Sequence, residues 1–113
     1  MVLSVSERTF RQEVLESSTL VLVDFWAPWC GLCRLIHPML RDFQSDWSEP
    51  VKLVRINADE NLKLANTYKL KSLPTLLLFD GGQVVLRLEN FQGRDDLRLA
   101  LQKVMLTSLP KSA

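Results

Sequence analysis

The chain has few of the residues that mark several protein classes. Its 113 residues include only two cysteines, one histidine and four glycines. Two cysteines are too few for a small secreted fold held together by disulfides. The 14 Lys and Arg residues nearly balance the 13 Asp and Glu residues. The sequence therefore has no basic surplus for binding nucleic acid or an anionic membrane surface.

Long apolar segments are also missing. Wholly apolar runs such as residues 20–23 and 76–79 are far too short to cross a bilayer. The first ten residues lack the continuous apolar stretch of a secretory signal. A length of 113 residues suits one domain. We therefore expect a single soluble domain over residues 1–113, located in the cytoplasm, without membrane or nucleic-acid partners.

Helical and strand patterns alternate along the chain. Hydrophobic periodicity predicts helices over 7–17, 30–47, 61–68 and 93–106, and strands over 19–26, 51–57, 75–79 and 84–88. It places Leu15, Leu35 and Leu62 on the apolar faces of their helices. Asp24 interrupts an apolar strand, so we expect a carboxyl group in or near the core. The order of elements predicts one α/β domain, with a mixed sheet covered by helices on both faces.

Both cysteines lie at the start of the second predicted helix, within the stretch WAPWCGLCRLIHP (26–38). Residues three apart share one side of a helix, so the sulfurs of Cys30 and Cys33 can meet. The free N–H groups of the first turn should stabilise a Cys30 thiolate and lower its pKa. Cys33 should lie deeper. This asymmetry predicts Cys30 as the attacking nucleophile and Cys33 as the resolving thiol.

Other uses of a close cysteine pair fit less well. A structural zinc site takes four ligands, whereas the chain offers two cysteines and His37, so a carboxylate or water would have to complete it. Covalent haem attachment needs a histidine where Arg34 stands. A purely structural disulfide across two residues would constrain almost nothing. The position after a buried-type strand favours a redox dithiol, and we expect no metal.

Three segments follow one another along the chain: VDFWAPWCGLCR (23–34), VRINAD (54–59) and LPTLLLFDGGQ (73–83). In this order they resemble the thioredoxin family. The resemblance covers nearly the whole chain and implies the thioredoxin fold, a central mixed β-sheet flanked by four α-helices. It implies a monomeric protein-disulfide reductase that acts as an electron carrier by reversible thiol–disulfide exchange and contributes to cell redox homeostasis. A thioredoxin reductase and disulfide-containing target proteins are its expected partners, with no bound cofactor.

The resemblance also implies roles for residues around the dithiol. Asp24 matches a buried aspartate that takes part in proton transfer with Cys33; the alternative reading is a core carboxylate paired with Arg55. Pro74 matches the family's cis-proline. An apolar substrate-binding surface around Cys30 would contain Trp29, Gly31, Leu32, Leu73, Pro74 and Phe91.

The sequence departs from the family pattern at several positions. Leu32 replaces the proline of Cys-Gly-Pro-Cys, and its N–H is expected to point at the Cys30 sulfur, which would make the pair more oxidising. Glu89 and Asn90 stand where the family usually has an apolar residue and a glycine, and they alter the substrate surface. Two alternatives stay open: a more oxidising, isomerase-like dithiol exchanger, and a binding scaffold built on the same fold.

Overall fold

The computed structural model describes residues 2–106, with side chains through Val104. The five strands are Val2–Ser4 (β1), Leu20–Trp26 (β2), Val51–Asn57 (β3), Thr75–Asp80 (β4) and Gln83–Leu88 (β5). The α-helices are Gly31–Asp46 (α1), Leu62–Thr67 (α2) and Arg94–Leu106 (α3). A π-helical segment spans Arg11–Leu15, and a short 3₁₀ turn spans Ala58–Glu60. Within this part of the chain, none of the helices combines the length and apolar character needed to cross a bilayer.

One mixed sheet organises the domain. The strand order is β1-β3-β2-β4-β5. Strands β1, β3 and β2 run parallel, and β4 pairs antiparallel with both β2 and β5. Strand β2 is central, and its residues 21–25 are all buried, including Asp24. The predicted mixed α/β sheet is confirmed, and the continuous apolar run of β2 reflects burial on both faces.

Two apolar layers cover the sheet. On one side, Ile36 and Leu40 of α1 pack with Leu97 and Leu101 of α3. On the other side, Phe10 and Val14 of the N-terminal segment form a second cluster, against which the partly buried Tyr68 packs. The helices therefore lie on both faces, as the alternation of elements predicted.

The N-terminal segment differs from its prediction. The structure adds the edge strand β1, whose three residues are too few for periodicity to reveal. The predicted helix over 7–17 is shorter, because Thr9 N–H donates to Ser6 O in a turn that precedes it. The helix then widens: Glu16 N–H donates to Arg11 O, a five-residue spacing. This change of period turns Leu15 outward, so its predicted core position is wrong.

Two further leucines are exposed where a core position was predicted. Leu35 of α1 is 60% exposed and Leu62 of α2 is 65% exposed. Helix α1 presents its buried residues Cys33, Ile36, Leu40 and Phe43 to the sheet, and Leu35 lies beside that stripe rather than on it. Leu62 begins a helix that has no fully buried residue.

A tight hairpin joins β4 to β5. Gly81 and Gly82 have φ values of 59° and 82°, between the paired residues Asp80 and Gln83. Both glycines thus adopt the left-handed backbone that a two-residue hairpin of this kind requires. A Cβ on Gly82 would also lie 2.9 Å from the carbonyl oxygen of Leu15. The turn predicted at 80–83 is present.

Helix α2 is fastened to the N-terminal segment. The N–H groups of Lys63 and Leu64 donate to Glu7 Oε2 at 2.7 and 3.3 Å. In return, Glu7 N–H donates to Asn61 Oδ1 at 2.8 Å. A carboxylate at a helix start satisfies free N–H groups and opposes the positive end of the helix dipole. The first turn of α2 is therefore capped by a residue more than 50 positions away.

Candidate functional site

The two cysteines form a disulfide at the start of α1. After β2 ends, Cys30 N–H donates to Ala27 O at 3.1 Å, and Cys30 becomes the N-cap of the helix. The Cα atoms of Cys30 and Cys33 are 5.3 Å apart. Cys30 is 5% exposed, whereas Cys33 is fully buried. The structure thus joins the two sulfurs, as the three-residue spacing predicted, and places Cys33 deeper.

The hydrogen bond to the outer sulfur comes from an unexpected donor. Cys33 N–H donates to Cys30 Sγ at 3.1 Å. Our prediction assigned this bond to the N–H of Leu32, and that assignment is wrong. An N-cap side chain receives its bond from the second or third helical residue, and here the third residue supplies it. Proline at position 32 would therefore leave this bond in place.

Asp24 is the buried carboxylate of the central strand. Its Oδ2 lies 3.4 Å from Arg55 Nε on the adjacent strand β3, while Oδ1 is buried without a hydrogen-bond partner among the described residues. Burial raises the pKa of Asp24 from its ordinary 3.8 to about 6, although the charge and the hydrogen bond of Arg55 oppose this rise. Arg55 also lies over the Trp26 ring, 4.3 Å from its centroid. Arg55 is thus the partner of Asp24 that the sequence suggested.

His37 is a half-buried residue of α1. Burial lowers the pKa of His37 below 6.5, and the positive charges of Arg55 and Arg41 lower it further. A lowered pKa keeps the imidazole neutral near pH 7. Over residues 2–106, no group of three or more His, Cys, Asp or Glu side chains is placed to hold a metal ion.

The loop before β4 contributes a second segment to the site, in addition to the start of α1. The Leu73–Pro74 peptide bond is cis, as the match to the cis-proline segment predicted. Pro74 is buried, and Leu73 is half-buried against the Phe10 cluster. The half-buried Phe91 follows β5 and lines a cleft together with these two residues.

Trp29 is an exposed residue of the site. The residue is 66% exposed, yet its Nε1–H donates to Asp59 Oδ2 at 2.9 Å. Asp59 is itself fixed, since its N–H donates to Asn57 Oδ1. Sequence reasoning missed Asp59, because 30 residues separate the partners and no local pattern links them. Gly31 and Leu32 lie between the cysteines, where Gly31 is exposed and Leu32 half-buried.

Comparison with known proteins places this chain in a family. The thioredoxin family model matches residues 1–103. The chain belongs to the thioredoxin family. It is 51% identical to "Thioredoxin 1" of Synechococcus elongatus over 82 residues, which cover 73% of this chain and 77% of that protein. It is 48% identical to "Thioredoxin 1" of a Nostoc species over 81 residues, covering 72% and 76%.

A chloroplast protein is also similar to this chain. "Thioredoxin M-type, chloroplastic" of Chlamydomonas reinhardtii is 45% identical over 80 residues, which cover 71% of this chain and 57% of that protein. These thioredoxin relatives and the disulfide at the Cys-x-x-Cys site together support protein-disulfide reductase activity. The fold, the family and the redox character predicted from the sequence are thereby confirmed.

Proposed function

We propose that this chain reduces disulfides in target proteins, with Cys30 as the attacking thiol and Cys33 as the resolving thiol. The observation that carries this assignment is the N-cap position of Cys30, whose sulfur accepts the N–H of Cys33. An N–H donor and the positive end of a helix stabilise a thiolate, which is the attacking species. Because Cys33 is fully buried, a target protein reaches Cys30 first.

The reaction balances through two exchanges. In the reduced protein, the Cys30 thiolate attacks one sulfur of the target disulfide, and the other target sulfur leaves as a thiolate that takes a proton. Cys33 then loses its proton and attacks Cys30, which releases the second target thiol and forms the Cys30–Cys33 disulfide. Two electrons and two protons pass to the target. A dithiol reductant or a reductase returns them to the chain.

Asp24 is proposed to accept the proton that Cys33 loses, directly or through water. Two features support this role. A pKa raised to about 6 makes the carboxylate a stronger base than an ordinary aspartate while keeping it mostly ionised at pH 7. In addition, Arg55 engages only one carboxylate oxygen, and the other has no partner in the described part of the chain.

The target is proposed to bind across an apolar surface around Cys30. The residues assigned to this surface are Trp29, Gly31, Leu32, Leu73, Pro74 and Phe91. An exposed indole held by a hydrogen bond offers a large contact area at little loss of side-chain freedom. An ideal Cβ built on Gly31 meets no atom within 4 Å, so the surface beside Cys30 is open to a target chain.

We further propose that residues 1–113 form one domain that acts as a monomer in the cytoplasm. Its partners would be a thioredoxin reductase and disulfide-containing target proteins, as its family membership implies. The balanced composition of 14 basic and 13 acidic residues gives no electrostatic reason to add nucleic acid or membrane partners.

Reduction of insulin by dithiothreitol tests the proposed activity. The wild-type chain should accelerate precipitation of the reduced insulin, because Cys30 transfers electrons from the small dithiol to the buried insulin disulfides. The Cys30→Ser variant should give the rate of dithiothreitol alone. If the wild-type protein and Cys30→Ser give the same rate, the chain is a binding scaffold and not a reductase.

A further inference from the structure

A cleft of about 260 Å³ lies between the loop before β4 and the loop after β5. Its lining consists of Ser72, Leu73, Pro74, Asn90, Phe91 and Gln92. Three of these, Leu73, Pro74 and Phe91, belong to the surface assigned above to target binding. A target segment that lies on those apolar residues would therefore also meet the polar ones.

Asn90 occupies a backbone conformation that favours glycine. Its φ is 62°, and the only other described non-glycine residue with a positive φ is Lys69. Left-handed backbone is unfavourable for residues with a Cβ, although asparagine tolerates it better than most. Residues held in this way cluster at binding and catalytic sites. The cleft thus has an asparagine side chain at a position whose backbone conformation favours glycine.

A hydrogen bond connects the two walls of the cleft. Ser72 Oγ lies 3.4 Å from Asn90 Oδ1, to which it donates. The backbone of Ser72 is fixed by a second hydrogen bond, since the hydroxyl of the fully buried Thr75 donates to Ser72 O at 2.7 Å. Asn90 is exposed, and its Oδ1 accepts the bond from Ser72 Oγ. Its amide N–H groups can therefore donate to a ligand in the cleft.

The carboxylate of the neighbouring Glu89 already has a hydrogen-bond partner. Arg87 donates to the Glu89 carboxylate and also to the backbone carbonyls of Tyr68 and Lys69. Glu89 does not line the cleft. Of the two departures from the family pattern at this site, only Asn90 therefore shapes the cleft, and its contribution is neutral and hydrogen-bonding.

We infer that the Ser72–Asn90 pair determines which target segments this chain reduces. The pair lines the cleft and presents amide donors beside the apolar residues Leu73, Pro74 and Phe91. It should favour a target segment with a hydrogen-bond-accepting side chain, asparagine or aspartate, over one with a bulky aliphatic side chain. This inference rests on the proposed reductase function and adds the class of target segment to it.

Matched disulfide peptides test the inference. Reduced protein is mixed with disulfide-linked peptides in which each of the three residues before the cysteine is varied, one at a time, between Asn and Leu. The second-order rate of reduction is followed by tryptophan fluorescence. At one position, the wild-type protein should reduce the Asn peptide about two- to tenfold faster, the effect of one neutral hydrogen bond. Asn90→Gly should bring this ratio close to one, and Ser72→Ala should lower it.

A control variant tests whether placing glycine at a left-handed position outside the cleft also changes the ratio. Lys69→Gly removes a side chain from the other left-handed position (φ 53°), and Lys69 does not line the cleft. It should keep the wild-type ratio. Asn90→Gly should fold normally because its backbone conformation suits glycine, and Ser72→Ala provides a second variant with the cleft altered.

Three outcomes would overturn the inference. The first is a wild-type ratio near one at all three positions, and the second is an unchanged ratio in Asn90→Gly. The third is an equal loss of the ratio in Lys69→Gly, which would show that the loss does not depend on the cleft. The small disulfide 5,5′-dithiobis(2-nitrobenzoic acid) distinguishes failure of the reductase function itself. If the wild-type protein cannot reduce it, both the proposed function and this inference fall.

Discussion

Replacing Asp24 by asparagine should stabilise the folded protein in a pH-dependent manner. The carboxylate is fully buried, and burial raises its pKa from 3.8 to about 6. One pH unit of pKa difference corresponds to about 1.4 kcal/mol, so ionised Asp24 lowers the free energy of unfolding by about 3 kcal/mol. Asparagine is neutral and similar in size, so the Asp24→Asn variant avoids this penalty.

The direction of the pH effect follows from proton binding. Between pH 3.8 and about 6, the folded protein holds a proton on Asp24 that the unfolded chain has released. Stability contributed by this group is therefore fully present below pH 3.8 and is lost as the pH rises through 6. The Asp24→Asn variant should match the wild-type protein near pH 4 and exceed it by about 3 kcal/mol at pH 8.

Urea unfolding of the oxidised proteins at pH 4, 6 and 8 measures this difference. Asp42→Asn, an exposed position on α1, is the matched control and should change stability by less than about 0.5 kcal/mol at each pH. Arg55 loses its carboxylate partner in Asp24→Asn but keeps its contact with the Trp26 ring. Equal stability of wild type and Asp24→Asn at pH 8, or the same difference at pH 4 and pH 8, would refute the reasoning.

Three further changes probe the dithiol and the hairpin. Cys33→Ser should accumulate mixed disulfides with targets, because the resolving thiol is gone, and Cys30→Ser should accumulate few; equal trapping in pull-downs would contradict their roles. Leu32→Pro should shift the reduction potential by less than about 30 mV, the effect of one charge-assisted hydrogen bond, because the donor to Cys30 Sγ is Cys33. A larger shift in a glutathione titration would contradict this assignment of the donor. Gly82→Ala should lower the free energy of unfolding by about 1–3 kcal/mol. Gly93→Ala should lower it less, because an added Cβ there meets nothing within 4 Å. Equal urea midpoints for the two variants would contradict the requirement for glycine at position 82.

The sequence predicted those parts of the fold that depend on local patterns. The apolar run of β2, the cysteine spacing at the start of α1 and the glycine pair of the hairpin each carry a signal within a few residues. Strand β1 was missed because three residues cannot establish a period, and the first helix was drawn too long because its hydrogen bonding changes within five residues.

Contacts between distant segments lay beyond sequence reasoning. The bond from Trp29 to Asp59 and the bond from Ser72 to Asn90 join residues 30 and 18 positions apart. Only the folded chain determines which side chains meet at such separations. Leu32 shows the same limit at short range, because residue type alone did not reveal which N–H of the first helical turn faces the Cys30 sulfur.

The Glu7 cap on α2 has a consequence for how the chain folds. With six residues and no buried side chain, α2 is too short to persist alone, since helix nucleation in water carries an equilibrium factor of about 10⁻³. Its first-turn N–H groups find their acceptor only after Glu7 arrives from more than 50 residues away. We therefore expect helix α2 to form cooperatively with the contact between Glu7 and residues 63–64, and not as an independent local element.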